Sequence, residues 1–88
     1  MRAPRTDCGV RVNDALESIK QAEAAVNKAK DSGKAAAQTP LAKAKKNLIH
    51  AEAKCKTEKD VRKHAEAARE AREAQGYAEE AQTLAERL

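Results

Sequence analysis

The stretch TPLAKAKKNLIHAEAKC, residues 39–55, carries the strongest local helix signal of the chain. Thr39 is a residue type that caps helix starts, and Pro40 suits the first helical position, where its missing N–H has no cost. Apolar residues then recur every three or four positions, which is the spacing of one packed helix face; they are Leu41, Ala44, Leu48, Ala51 and Cys55. The stretch therefore predicts a helix that begins at Thr39-Pro40.

A similar stripe precedes this stretch and predicts a first helix. Its positions also alternate steps of three and four; they are Val12, Ala15, Ile19, Ala22, Val26 and Ala29. The helix is expected to begin between Asp7 and Asn13 and to end at about Lys30, because Gly33 is typical of a position just past a helix end. Residues 1–10 are then an irregular arm, and residues 31–38 form a loop.

A third stripe follows and predicts a helix that runs to the end of the sequence. Thr57-Glu58-Lys59-Asp60 resembles a capping box, with Asp60 in the place of Glu or Gln. The stripe comprises Val61, Ala65, Ala68, Ala71, Ala74, Ala78, Ala81, Ala85 and Leu88. Its consecutive steps of three predict a local stammer in the heptad pattern.

The composition favours helices packed against one another. The 88 residues include one aromatic residue, Tyr77, and 36% are charged, which is typical of helical bundles and coiled coils. Folding the second helix back on the first sets large residues opposite small ones, so the two can interdigitate. The sequence predicts an all-α fold in which residues 11–88 form one helical domain. This domain is an antiparallel hairpin with a longer third helix, either a slim three-helix bundle or a coiled-coil-like oligomer.

The end of the third helix is the predicted contact surface for a partner. In the expected register, residues beyond about Ala78 overhang the hairpin. Leu84 and Leu88 would then be exposed apolar side chains, which favours burial against another chain. Together with Tyr77 they are the residues expected to contact a protein partner or another copy of the chain.

Catalytic and metal-binding patterns are not apparent in the sequence. His50, Cys55 and His64 are separated by five and nine residues, which differs from the spacing of metal ligands on helices. Neither histidine has a carboxylate at triad spacing, and there is no Gly-rich phosphate loop. We therefore expect no catalytic residue, no metal ion and no cofactor, and a protein that is not an enzyme.

The positive charge is concentrated in the second helix. The formal net charge is +4, and the most basic patch comprises Lys43, Lys45, Lys46, Lys54, Lys56 and Lys59, of which the first four are the candidate nucleic-acid contacts. These lysines could contact nucleic acid, but Arg and aromatic residues do not accompany them as they do in most such surfaces. They could equally pair with the acidic third helix, in which case they would have no part in binding nucleic acid.

The two cysteines leave two interpretations open. Cys8 and Cys55 could form one disulfide in an oxidising compartment or remain two buried thiols. In the expected register Cys55 faces Ala15, and Cys8 lies one heptad further out, about 10 Å along a helix. That distance exceeds the reach of a disulfide unless the arm folds back.

The order of these segments resembles a known family. Cys8 is followed by Ala15-Leu16-x-x-Ile19-x-x-Ala22, then by a Thr39-Pro40 helix, then by the Ala-Glu segment at residues 64–68. This pattern, over roughly residues 8–75, is similar to an uncharacterised Ala-rich helical domain of bacterial envelope lipoproteins, domain of unknown function 4398. The resemblance implies a non-enzymatic helical module, often next to a peptidoglycan-binding domain, that begins just after a lipidated cysteine.

The resemblance makes Cys8 a candidate lipidation site. A lipoprotein signal places small residues directly before the cysteine, whereas Arg5-Thr6-Asp7 stand there. Cys8 is therefore either a lipid attachment site or a packing thiol.

Taken together, these features predict a structural or interaction module of the periplasm or cell envelope. It would act through helix–helix association with a protein partner or a second copy, and would meet a membrane only through a lipid anchor. The alternative is a cytoplasmic helical protein that binds nucleic acid weakly through its Lys-rich helix.

Overall fold

The chain is built of three long α-helices. The computed structural model describes residues 4–57 and 60–88, in which α1 spans Pro4–Lys28, α2 spans Asp31–Thr57 and α3 spans Val61–Arg87. These described residues contain no β-strand. The three helices pack into a slim body with axes of 46, 20 and 14 Å. The predicted all-α fold is therefore confirmed.

The helix α3 is the common packing partner of the other two. Both α1 and α2 contact α3 extensively, and they contact each other much less. Cys8 near the start of α1 bonds to Cys55 near the end of α2. Ser32 at the start of α2 donates a 2.6 Å hydrogen bond to the carbonyl of Leu88 after the end of α3. Each helix thus runs opposite to the one before it, and α1 and α3 run in the same direction.

The core consists almost entirely of alanine. Among the residues whose burial the structure describes, fourteen hydrophobic residues are buried; eleven of them are Ala, and the other three are Cys8, Ile19 and Leu48. Larger side chains such as Leu16, Val26 and Leu41 are partly buried around this core. Because a methyl side chain lets helix backbones approach closely, the bundle is held by dense contacts between small groups rather than by bulky residues.

The seam of α3 differs from its predicted path in the first turns. The buried residues recur in strict steps of three and four; they are His64, Ala67, Ala71, Ala74, Ala78, Ala81 and Ala85. The predicted stripe began instead at Val61, which is 58% exposed, and ran through Ala65 and Ala68. The predicted stammer was therefore wrong: it arose from assigning the bulky Val61, rather than the buried His64, to the core.

The start of α2 was also predicted wrongly. Residues 31–38 are helical rather than a loop, and Pro40 lies inside the helix instead of at its first position. A proline there removes one backbone hydrogen bond and costs about 3 kcal/mol. Burial of Gly33, Ala37 and Pro40 offsets this cost, because it seats these turns on the end of α3.

The extra turns of α2 remove the predicted overhang of α3. Both helices contain 27 residues, so α3 is not the longer one. Ala81 and Ala85 are buried, whereas we expected residues beyond Ala78 to project from the hairpin. The pairing of α1 with α2 shifts by about one heptad at the disulfide end, where Cys55 lies opposite Cys8 instead of Ala15.

Two helix starts differ from the prediction as well. Residues 4–10 belong to α1, so the predicted irregular arm is wrong for these residues, while residues 1–3 lie outside the described residues. Asp60 is the N-cap of α3, and its carboxylate accepts a 2.8 Å hydrogen bond from the backbone N–H of Arg62. The predicted capping box had assigned the N-cap to Thr57, which instead is the last residue of α2.

Gly33 marks a close approach between α2 and α3. A Cβ atom at this position would lie 2.7 Å from the backbone oxygen of Ala85 and 3.2 Å from the Cβ of Ala29. Neither neighbour is the flexible end of a long side chain, so a side chain at residue 33 requires the backbones to separate. At Gly76, in contrast, an added Cβ meets no atom within 4 Å.

We expect Gly33→Ala to destabilise the bundle and Gly76→Ala to stabilise it. Both substitutions improve helix propensity by up to about 1 kcal/mol, but at residue 33 overpacking costs about 1–3 kcal/mol. Urea unfolding followed by circular dichroism measures the free energy of unfolding of both variants. Gly33→Ala at least as stable as Gly76→Ala would contradict the close approach.

We expect Leu48→Ala to lower the free energy of unfolding by about 2–5 kcal/mol, because it leaves a cavity in a core with few large side chains. Leu48 is 7% exposed, whereas the adjacent Ile49 is 64% exposed. The matched control Ile49→Ala should change stability by about 0.5 kcal/mol or less. The same urea titration compares the pair, and equal losses would mean that the assigned face of α2 is incorrect.

Candidate functional site

The residues predicted to contact a partner do not form one surface. Tyr77 is partly buried against the core, and the ammonium of Lys43 lies 5.5 Å from its ring centroid. Leu84 is half-buried. Leu88 is 52% exposed and borders an open hollow. The overhang on which this prediction rested is absent among the described residues. The fold therefore does not support a partner contact at Tyr77 or Leu84.

Two separate hollows open along the surface between α1 and α3, which we call the α1–α3 groove, and the first hollow is at the start of both helices. Val10 and Val61 are 53% and 58% exposed on its two sides, and Ala65 and Ala68 form its floor along α3. The hollow has a volume of about 510 Å³. It combines exposed valine side chains with small alanines, which leaves room for side chains of another helix.

A second hollow lies at the other end of the same two helices. Ala24 and Ala25 line it on α1, and Ala85 and Leu88 line it at the end of α3. Its volume of about 500 Å³ is close to that of the first hollow. Among the described residues, four large hydrophobic side chains are strongly exposed, and three of them, Val10, Val61 and Leu88, line these two hollows.

Cations predominate around both hollows. Arg11 and Arg72 line the first hollow, together with the buried His64. Lys28, Lys30 and Arg87 line the second, where Glu86 is the one carboxylate side chain of the lining. The groove thus offers apolar hollows bordered by positive charge, which favours a ligand with an apolar stripe and negative flanks.

The four lysines proposed for nucleic acid are dispersed around α2. Lys45 forms a 2.8 Å ion pair with Glu23 of α1, and Lys43 lies over Tyr77 of α3. Lys54 bridges Glu66 and Glu70 of α3, with Nζ–Oε1 distances of 3.5 and 3.0 Å. Three of the four ammonium groups therefore contact the neighbouring helices, on two different sides of α2.

The bridge made by Lys54 changes its protonation equilibrium. The hydrogen bond to Glu70, aided by the charges of both glutamates, raises the pKa of Lys54 above its ordinary value of 10.5 against the opposing effect of desolvation. A raised lysine pKa means that the folded state binds the proton more tightly than the unfolded state. The stability that the Lys54 bridge contributes is therefore fully present below the ordinary lysine pKa. It is lost only as the pH rises through the raised pKa of Lys54.

The disulfide closes the end of the bundle that is opposite the α1–α2 connection. The Cα atoms of Cys8 and Cys55 lie 5.9 Å apart, and Cys8 is completely buried. The sequence left the bridge and two free thiols as alternatives, and the structure contains the bridge. A sulfur in this bond cannot carry a lipid, so lipidation of Cys8 is incompatible with this structure.

The other candidate metal ligands do not meet. His50 is exposed on α2, His64 is buried on α3, and Cys55 is bonded to Cys8. Across residues 4–57 and 60–88, no group of three or more His, Cys, Asp or Glu side chains is arranged to hold a metal ion.

Sequence reasoning missed the groove because its two sides come from distant segments. Val10 fell within the predicted irregular arm, and Val61 was assigned to the core stripe of α3. One signal was available in the sequence. An α3 stripe that begins at His64 instead of Val61 has no stammer, and this choice places Val61 on the surface. No such signal in the sequence brings Val10 next to Val61.

None of the helices in the described part of the chain is both long and apolar enough to cross a membrane.

Comparison of the chain with known protein families, with curated proteins and with solved structures found no match.

Proposed function

We propose that this chain is a non-enzymatic structural or interaction module of a bacterial envelope protein, which binds an amphipathic helix of a protein partner in the α1–α3 groove. The observation that carries this proposal is the position of Val10, Val61 and Leu88, which are strongly exposed and line the two hollows between α1 and α3. Exposed apolar side chains grouped on one surface are typical of interaction sites.

The dimensions of the groove suit a helix. Val10 and Lys28 lie at its two ends, and the 18 helical steps from one to the other span about 27 Å. A partner helix of five turns fills that length, with apolar side chains at positions i, i+3, i+4 and i+7 in the hollows. Alanines along the floor allow this helix to approach the backbones of α1 and α3 closely.

The charges specify the flanks of the partner helix. Arg11 and Arg72 border one hollow, and Lys28, Lys30 and Arg87 border the other. A partner with Glu or Asp beside its apolar stripe gains favourable contacts at both ends, whereas a basic helix is repelled. The partner class is thus an acidic amphipathic helix.

The disulfide supports the envelope as the compartment. Structural disulfides persist in oxidising compartments such as the periplasm and are rare in the reducing cytosol. This argument is independent of the family resemblance, which implies the same compartment. Nucleic-acid binding is not proposed, because Lys43, Lys45 and Lys54 already contact side chains of α1 and α3.

We expect the purified protein to bind an acidic amphipathic helical peptide of about 18 residues, with Leu and Ala on one face and Glu on its flanks. Fluorescence anisotropy of the labelled peptide measures the Kd. A matched peptide with Lys in place of Glu should bind at least about tenfold more weakly, and salt should weaken the acidic complex.

Variants assign this binding to the groove. Arg72→Glu and Val61→Asp should each raise the Kd by about tenfold or more, since they reverse a charge or place one in an apolar hollow. Lys46→Glu makes the same charge change on α2, outside the groove, and should leave the Kd within about twofold. Equal affinity for the two peptides, or indifference to Arg72→Glu and Val61→Asp, would refute the proposed site.

A further inference from the structure

The two sulfurs of the disulfide differ in their access to solvent. Cys8 is completely buried, whereas Cys55 is only partly buried. A separate hollow of about 270 Å³ opens between α1 and α2 at Cys55, and its other lining residues are Gly9, Val12, Glu52 and Lys56. A thiol that enters this hollow meets Cys55 and not Cys8.

Gly9 keeps this hollow open. A Cβ atom at residue 9 would have no neighbour within 4 Å, so the space beside α1 remains empty where any other residue would project a side chain. In contrast, Gly33 occupies a place where a side chain would not fit. Because no atom packs against Gly9, a larger residue at this position narrows the path to Cys55 without disturbing the core.

We propose that the Cys8–Cys55 disulfide is a site of thiol–disulfide exchange, at which an external dithiol attacks the Sγ atom of Cys55 first. The attacking thiolate forms a bond to Cys55 Sγ, the Sγ–Sγ bond breaks, and Cys8 leaves as a thiolate that takes up a proton. The second thiol of the reductant, as its thiolate, then attacks the sulfur that the first thiol contributed. Cys55 is released as a thiolate, and the reductant becomes a disulfide, so two electrons pass to the protein.

The charges of the hollow favour this order of attack. Lys56 lines the hollow beside Cys55, and a cation there attracts the thiolate that attacks Cys55 in the first step. In the second step the same cation stabilises the thiolate that Cys55 becomes. Glu52, one turn earlier on α2, offsets part of this field. Lys54 faces α3, where it is held by Glu66 and Glu70. Among the described residues that line this hollow, Lys56 is therefore the one that carries an ammonium group.

Exchange at this site loosens the start of α1. The contacts between α1 and α2 are the sparsest in the bundle, so the disulfide is the principal link between them at this end. Val10 lies two residues after Cys8 and forms one side of the first hollow of the groove. Reduction thus also weakens helix binding in the groove, a consequence that rests on the proposed function, whereas the exchange itself does not.

Reduced glutathione is a suitable probe of the first step, because a single thiol leaves a mixed disulfide that can be trapped. The native protein is incubated with glutathione, the reaction is stopped with acid, free thiols are alkylated, and the peptides are mapped by mass spectrometry. We expect glutathione on Cys55 and the alkyl group on Cys8, in at least about fivefold excess over the reverse. The protein unfolded in guanidinium chloride is the control, and there the two adducts should approach equal amounts.

A filled hollow should slow the reaction. Gly9→Leu is expected to reduce the rate of exchange by about fivefold or more because it obstructs the approach to Cys55. Gly76→Leu introduces the same side chain on the surface of α3, far from the disulfide, and should leave the rate unchanged. Circular dichroism of both variants establishes that they are folded before the rates are compared.

Three results would overturn the proposal. One is equal labelling of Cys8 and Cys55 in the native protein, and another is a rate that does not depend on glutathione concentration, which means that reduction waits for unfolding. The third is an unchanged rate in folded Gly9→Leu. These measurements use no peptide, so the exchange proposal can hold when peptide binding fails. Equally, peptide binding can be observed when the exchange proposal fails. Hydrogen exchange of the backbone amides tests the loosening of α1 separately. After reduction, the amides of residues 8–16 should exchange faster than those of α3.

Discussion

The close packing of α3 against both neighbours is the constraint on which the rest of the bundle depends. Its buried face carries one methyl group per position over six of seven positions, so α1 and α2 can approach its backbone closely. A seam of this kind tolerates little change in volume, because the backbone atoms themselves form part of the contact. At Gly33, a Cβ atom would lie only 2.7 Å from the backbone oxygen of Ala85, so even a methyl group does not fit there.

This mode of packing explains why a chain with so few large apolar residues forms a bundle at all. Small side chains lose little conformational entropy on burial, and dense contacts between them add up to appreciable dispersion energy. The ion pairs of Lys45 with Glu23 and of Lys54 with Glu66 and Glu70 then connect α2 to each neighbour from outside the core. The disulfide adds a covalent link between α1 and α2, where the packing is least extensive.

The fold class and two of the three helix faces could be predicted because they depend on spacing within single helices. Ile19, Ala22, Leu48 and Ala51 lie on buried faces as the three-four rhythm requires. The start of α2 could not be predicted from local residues, since Gly33 and Pro40 favour a helix end and a helix start, and only docking on α3 outweighs them. The alignment of Cys8 with Cys55 depended in turn on that register. The groove was missed for another reason, because Val10 was assigned to an irregular arm and Val61 to the core stripe of α3.

The buried proline of α2 has a consequence for the order in which the chain folds. Residues 31–39 have weak intrinsic helicity, and the residues that cover them, Ala85 and Leu88, are among the last of the sequence. On a ribosome, residues 31–39 are synthesised well before the residues that cover them, so these turns can dock only after the end of α3 has emerged.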